Sequence, residues 1–158
     1  FVHEGGISTP LIIRWPKGIA EKNAWRHTPS HLVDLVPTVL ELAGAESPNA
    51  YAGKPRPALA GKSLVPALAK DVEVQRESLW WHHQGNRALR VGNWKIVSAG
   101  AKGEWELYDL AGDRAEMLNL AAVHPQRVKE MSALWAKQDA LHFEQAGRPM
   151  RPMTGKKK

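Results

Sequence analysis

Residues 78–110 read SLWWHHQGNRALRVGNWKIVSAGAKGEWELYDL, and this stretch decides the fold. It breaks into short runs, 78–83, 87–91, 94–98 and 105–110, rich in the β-branched and aromatic residues that suit a pleated surface. Between the runs lie Gln84-Gly85-Asn86, Gly92-Asn93 and the glycine-containing segment 99–103, all of them turn chemistry. Gaps this short suit antiparallel hairpins, because parallel neighbours need long crossovers. Trp94, Ile96 and Leu107 then belong to one apolar face. Trp80 and Trp81 are adjacent, so they point to opposite faces, and one of them must meet something other than the main core.

Downstream, residues 124–146 change to a helical period. Val128, Met131, Leu134, Trp135 and Leu141 recur on one side, while Lys129, Glu130 and Lys137 take the wet side. Pro125 suits the first turn, and Gly147 followed by Pro149 ends the helix. The helix is expected to cover one face of the four-stranded sheet. A disordered basic tail is expected over 148–158, which closes on Lys156-Lys157-Lys158.

Upstream, residues 34–44 read as a helix with Asp34 as N-cap, Pro37 in the first turn and Gly44 as the stop. Its Leu35, Val39 and Leu42 face is expected against a sheet. Asp34 is conceivable as a metal ligand, although the cap explains it without one. Residues 46–57 hold Pro48, Gly53, Pro55 and Pro57 and read as a loop. Ser63 is expected to cap a short helix running to Ala69, with Leu64, Val65 and Leu68 as its apolar side. At the start, Leu11 to Trp15 reads as a buried strand between Pro10 and Pro16. The polar bend before it, His3-Glu4-Gly5-Gly6, uses glycines that accept angles forbidden to other residues. A loop of this kind ahead of a core strand is a common place to build a site.

The 158 residues carry a formal net charge of +6 and 43% hydrophobic residues. That balance suits an anionic partner. The basic residues are scattered without interleaved aromatics, which argues against nucleic acid. No apolar run approaches the ~20 residues that cross a bilayer, so no membrane contact is expected. There is no cysteine, which excludes disulfides and thiolate metal sites within these residues. His82 and His83 are adjacent on a strand and face opposite ways, so they do not share a metal. No metal site is expected in this chain. At a hairpin tip, a histidine and an arginine such as His83 and Arg87 can hold an anionic or hydroxylated ligand.

Several of these stretches occur in an order shared with a known family. His3-Glu4-Gly5-Gly6-Ile7-Ser8-Thr9-Pro10-Leu11-Ile12, then residues 34–44 (DLVPTVLELAG), Gly61-Lys62-Ser63-Leu64, residues 85–90 (GNRALR), Gly92-Asn93-Trp94-Lys95, residues 105–110 (WELYDL) and Asp113-Arg114-Ala115-Glu116 together resemble the type I sulfatases, the arylsulfatase family. The resemblance implies an α/β fold like that of alkaline phosphatase, of which this chain is the C-terminal part. It implies residues 1–70 as the end of the main α/β domain and 71–147 as a small four-stranded antiparallel sheet with its long covering helix. The first residue is not Met and the chain opens inside a loop, which fits the expectation of a piece whose upstream part is missing.

The family hydrolyses sulfate esters to an alcohol and sulfate. A formylglycine made from Cys or Ser supplies the nucleophile, and calcium held by acidic and amide oxygens neutralises the sulfate. This chain has neither formylglycine motif, so the resemblance puts the catalytic groups and the calcium ligands upstream, with no catalytic residue in these residues. The His3 bend resembles the active-site floor. The family carries an aromatic residue before the Glu and an arginine where Ser8 stands. His3, His83 and Arg87 are the expected substrate-binding residues. The implied partners are a sulfated small molecule or carbohydrate and the N-terminal part of the same protein, with a periplasmic or secreted location. Two alternatives stand beside this: a non-catalytic anion-binding or structural module, and a phosphate or phosphonate ester hydrolase of the same superfamily.

Overall fold

The computed structural model of the protein describes residues 1–147. In chain order its elements are α1 (Glu4–Ile7), a 3-10 turn (Leu32–Asp34), α2 (Leu35–Leu42), β1 (Ala50–Tyr51), β2 (Lys54–Pro55), α3 (Val65–Ala69), β3 (Leu79–His83), β4 (Asn86–Val91), β5 (Trp94–Ser98), β6 (Glu106–Asp109) and α4 (Pro125–Gln145). They form two compact units: Phe1–Pro10 with the chain from Glu77 onward, and Leu11–Arg76. The N-terminal bend thus groups with the sheet, and the units meet in the chain at Pro10/Leu11 and Arg76/Glu77.

In the sheet unit, β3 to β6 make an antiparallel meander in sequence order, as the short gaps require. Gln84 and Gly85 both take left-handed φ, 49° and 82°, which gives the tight turn its direction. Pairing sets Leu89 opposite Ile96 and Ile96 opposite Leu107. These three have no exposure and pack with Met131 and Trp135 of α4. The long helix thus covers this face of the sheet. Pro125 starts it, where its missing N–H costs nothing. Trp135 Nε1 donates to the Trp81 carbonyl at 3.1 Å, and His82 Nδ1 lies 2.7 Å from Asp139 Oδ1, so the helix is also tied by polar bonds.

The opposite face carries Ala88, Val97, Tyr108 and Leu110, and Val2 and Ile7 of the N-terminal segment pack on it. Trp80 joins the helix-side cluster and Trp81 the other, as their adjacency demands. This packing is why residues 1–10 belong to the sheet unit.

The Leu11–Arg76 unit departs more from the sequence reading. Residues 11–15 form no strand, and Leu11, Ile12 and Ile13 are exposed. Extended backbone becomes a strand only by pairing with a neighbour, and these residues have none among those described. Along α2, Val39 and Leu42 of the expected apolar face are exposed, so the expected packing on a sheet is not made among the described residues. Gly44 ends the helix with φ +61°. Residues 46–57, expected as a plain loop, contain the β1–β2 hairpin, with Tyr51 opposite Lys54. Ser63 Oγ accepts from Val65 N at 3.2 Å at the start of α3, whose Ala67 and Leu68 are buried with Leu64. The tail expected over 148–158 lies outside the described residues.

Candidate functional site

The N-terminal bend is one turn of helix, closed by Gly6 N and Ile7 N donating to the His3 carbonyl at 2.8 and 3.2 Å. Neither Gly5 nor Gly6 takes a left-handed φ. Gly6 is needed for closeness instead: a Cβ there would stand 2.4 Å from the Phe1 carbonyl oxygen. The turn brings Glu4 to the sheet. Glu4 Oε1 lies 2.7 Å from Lys95 Nζ, and Glu116 Oε1 lies 2.8 Å from the same nitrogen. The Glu4 backbone N donates to Glu116 Oε2 at 2.6 Å. Lys95 is fully buried. Burying a lone ammonium costs several kcal/mol, and two carboxylates offset that cost. Glu116 reaches its place with φ +55°, a strained angle for a residue with a side chain. Outside the triad, Arg114 Nη2 donates to Ser8 Oγ at 3.1 Å and stands 4.0 Å from Glu4 Oε2.

His3 forms the second contact of the bend. Its Nε2 lies 2.7 Å from Glu106 Oε2, which also accepts from the Tyr108 hydroxyl at 2.9 Å. Burial first, then the hydrogen bond and charge of Glu106, with Glu116 and Asp113 adding to it, raise the Tyr108 pKa well above the ordinary phenol value. The hydroxyl therefore stays a donor. An ionised Glu106 only accepts, so the proton in its bond with His3 belongs to Nε2. His3 keeps about a third of its side chain exposed, 32%. Asp113 closes the turn after β6 by accepting from Met117 N at 3.0 Å and Leu118 N at 2.8 Å, and these bonds lower its pKa.

His83 and Arg87 do not join this site together. The register pairs His83 with Asn86 and His82 with Arg87, so His83 and Arg87 lie on opposite faces of the sheet. His83 is exposed at the end of β3. Arg87, expected at a pocket rim, is buried on the helix side. Its Nη2 donates to Ser98 Oγ at 2.7 Å and to the Gly103 carbonyl at 3.0 Å, and its guanidinium lies 4.8 Å from the Trp105 ring centroid. Burial lowers its pKa, and the Asp139 charge partly opposes that. Desolvation and these partners commit Arg87 to the core.

Asp34 is the second buried charge, in the other unit. Its side chain does not cap α2. Oδ2 accepts from His31 N at 2.7 Å and Oδ1 from Lys62 N at 2.8 Å. Arg76 adds two bonds, Nη1 to Oδ1 at 3.2 Å and Nη2 to Oδ2 at 2.9 Å. With these donors on both oxygens, Asp34 has no role left as a metal ligand. The described residues include no group of three or more His, Asp or Glu that could hold an ion, and the Lys95 ammonium already sits between Glu4 and Glu116. These residues do not fit a catalytic cation.

The sequence reading picked out His3 but missed Glu106, Tyr108, Lys95 and Glu116 as its setting. One signal was available: Lys95 alternates with Val97 on a strand, so it had to point at a covered face.

Residues 1–142 match the family model described as N-sulphoglucosamine sulphohydrolase, C-terminal. The chain is 34% identical over 146 residues to an uncharacterised sulfatase of Schizosaccharomyces pombe, an alignment covering 89% of this chain and 26% of that protein. It is 29% identical over 149 residues to the N-acetylglucosamine-6-O-sulfatase of Bacteroides thetaiotaomicron, covering 85% and 25%. Among solved structures, a protein in complex with its substrate D-glucosamine-2-N,6-O-disulfate superposes with a TM-score of 0.51 at 24% identity, over 71% of this chain and 23% of that one. A structure from a glycosaminoglycan-metabolism locus of Bacteroides thetaiotaomicron gives 0.52 at 22% identity, over 68% and 24%. At these identities the structural likeness concerns the fold alone. The chain spans about a quarter of the length of the curated relatives it matches.

Proposed function

Because the chain belongs to the N-sulphoglucosamine sulphohydrolase C-terminal family, we propose that it is the C-terminal part of a sulfuric ester hydrolase, and that the intact protein cleaves a sulfate ester to an alcohol and inorganic sulfate. The observation that carries this reading is the match over residues 1–142 to a model of the C-terminal part, with the relatives cited being sulfatases over about a quarter of their length. The nucleophile, the sulfate clamp and the cation ligands are then supplied from outside the described residues. Calcium is the ion assigned in this reading, and it neutralises the sulfate charge when bound. The described part contributes the floor loop through His3 and one rim position through His83. A sulfated carbohydrate is the substrate class, supported by the sugar sulfates named for a relative and a structural neighbour. The exposed apolar side chains of the Leu11–Arg76 unit suit cover by the N-terminal part of the same protein. Export to the periplasm or medium belongs to the same reading and is checked by fractionating the native source.

The test compares the 158-residue chain with the product of the whole gene, each given 4-nitrophenyl sulfate and calcium. The chain alone is expected to be inactive and the whole product active. Turnover by the chain alone, or preference of the whole product for a phosphate ester, overturns the proposal.

A further inference from the structure

The His3 ring is held at one nitrogen and free at the other. Nε2 is bonded to Glu106, and Nδ1 makes no hydrogen bond to any described residue. Glu106 is in turn fixed by the Tyr108 hydroxyl. Glu106 and Tyr108 lie in β6, an edge strand of the sheet, whereas His3 lies on the bend. The backbone of that bend is pinned separately, by Glu116 on the Glu4 amide and by Lys95 on the Glu4 carboxylate. Ring and backbone are therefore set by different partners.

We propose that Glu106 and Tyr108 are positioning residues that lock His3 as the Nε2–H tautomer, so that Nδ1 accepts a hydrogen bond from a hydroxyl of the bound sugar sulfate. This rests on the sulfatase reading and deepens it: His3 becomes a specificity residue for the sugar part of the substrate. A neutral imidazole with its donor occupied has one acceptor left, and a sugar hydroxyl is the group that complements it. An aryl sulfate offers no such hydroxyl.

Two measurements test the proposal. In the 158-residue chain, long-range nitrogen–proton NMR should find the neutral His3 ring protonated at Nε2. Glu106→Ala should turn this into a tautomer mixture, Tyr108→Phe should do so in part, and Glu106→Gln, which keeps an acceptor oxygen, should fall between. An Nδ1–H ring in the wild type, or a ring unmoved by Glu106→Ala in a folded variant, overturns the positioning. In the product of the whole gene, His3→Ala should raise KM for D-glucosamine 6-sulfate by about tenfold, the worth of one well-placed hydrogen bond, with kcat little changed. KM for 4-nitrophenyl sulfate should stay the same. Adding Glu106→Ala to His3→Ala should add nothing further. An equal rise for both substrates means that His3 meets the sulfate or only the fold, and it overturns the specificity role. A wild-type gene product that hydrolyses neither ester sinks the sulfatase reading and the sugar contact with it, while the NMR result still decides the positioning by itself.

Discussion

Lys95 in the sheet unit and Asp34 in the Leu11–Arg76 unit are both buried charges with no exposure, yet they are neutralised by different means. Lys95 depends on two carboxylates brought from distant turns, Glu4 at the N-terminal bend and Glu116 after β6. Asp34 shares its charge among two backbone amides and a two-pronged arginine. Their surroundings differ as well. Leu89, Ile96 and Leu107 in the first unit have no exposure, whereas Leu32 and Val39 beside Asp34 are 78% and 63% exposed. In the sheet unit apolar burial supplies the stability, and the ionic triad decides where the bend sits. In the other unit the buried apolar set is small, Leu64, Ala67 and Leu68, and the polar bonds added to it are each worth only about 1 kcal/mol net. Buried ions thus do different work according to how much apolar packing surrounds them.

The contrast can be broken most sharply at Lys95. Lys95→Met leaves two carboxylates uncompensated under the bend and should cost about 3–5 kcal/mol in chemical denaturation. Combining it with Glu4→Gln and Glu116→Gln should recover most of that loss, because neutral groups no longer repel. A single-variant loss below about 1 kcal/mol would show that water already screens the triad. Asp34→Ala is expected to cost less, about 2–3 kcal/mol, since it strands one charge, Arg76, where Lys95→Met strands two carboxylates, while two amides lose their acceptor. If Asp34→Ala costs more than Lys95→Met, the distinction drawn between the units is wrong.

Backbone closeness gives the next effect. A Cβ at Gly61 would stand 2.1 Å from the Val33 carbonyl oxygen, whereas one at Gly5 meets nothing within 4 Å. Gly61→Ala should destabilise the Leu11–Arg76 unit by about 1–3 kcal/mol, and Gly5→Ala should be neutral or slightly stabilising. Equal effects on thermal unfolding would count against this placement of Gly61. The smallest effect is the pH response of His31. Burial lowers its pKa, with Asp34 partly opposing and Arg76 adding to the shift. The folded form therefore favours the neutral ring, and the unfolded chain binds more protons as pH falls. The resulting stability is full above the ordinary imidazole value of about 6.5 and is lost as pH falls through it towards the lower folded value. Urea titrations at neutral and mildly acidic pH should show the loss, and His31→Asn should reduce it.

The antiparallel sheet, the covering helix and the split between Trp80 and Trp81 were legible from residues 78–146, because strand and helix periods are local properties of the chain. The candidate site was legible only in part. His3 and Glu4 announced themselves by their bend, but Glu106 lies 103 residues from His3 and Lys95 lies 91 from Glu4. No local pattern ties charges so far apart. Arg87 read as a hairpin-tip residue and proved to be core, since its exposure depends on which face α4 covers. Residues 11–15 carry a strand's composition but not its pairing.

By itself, then, the sequence determined the periods, the turns and the order of motifs that marks the family. The tertiary structure alone decided that Glu4, Lys95 and Glu116 meet, that His3 is held by β6, and that the N-terminal bend belongs to the sheet. Secondary structure follows from each residue's own steric limits and near neighbours. A buried charge is settled only when the whole fold brings its counter-ion within hydrogen-bonding distance.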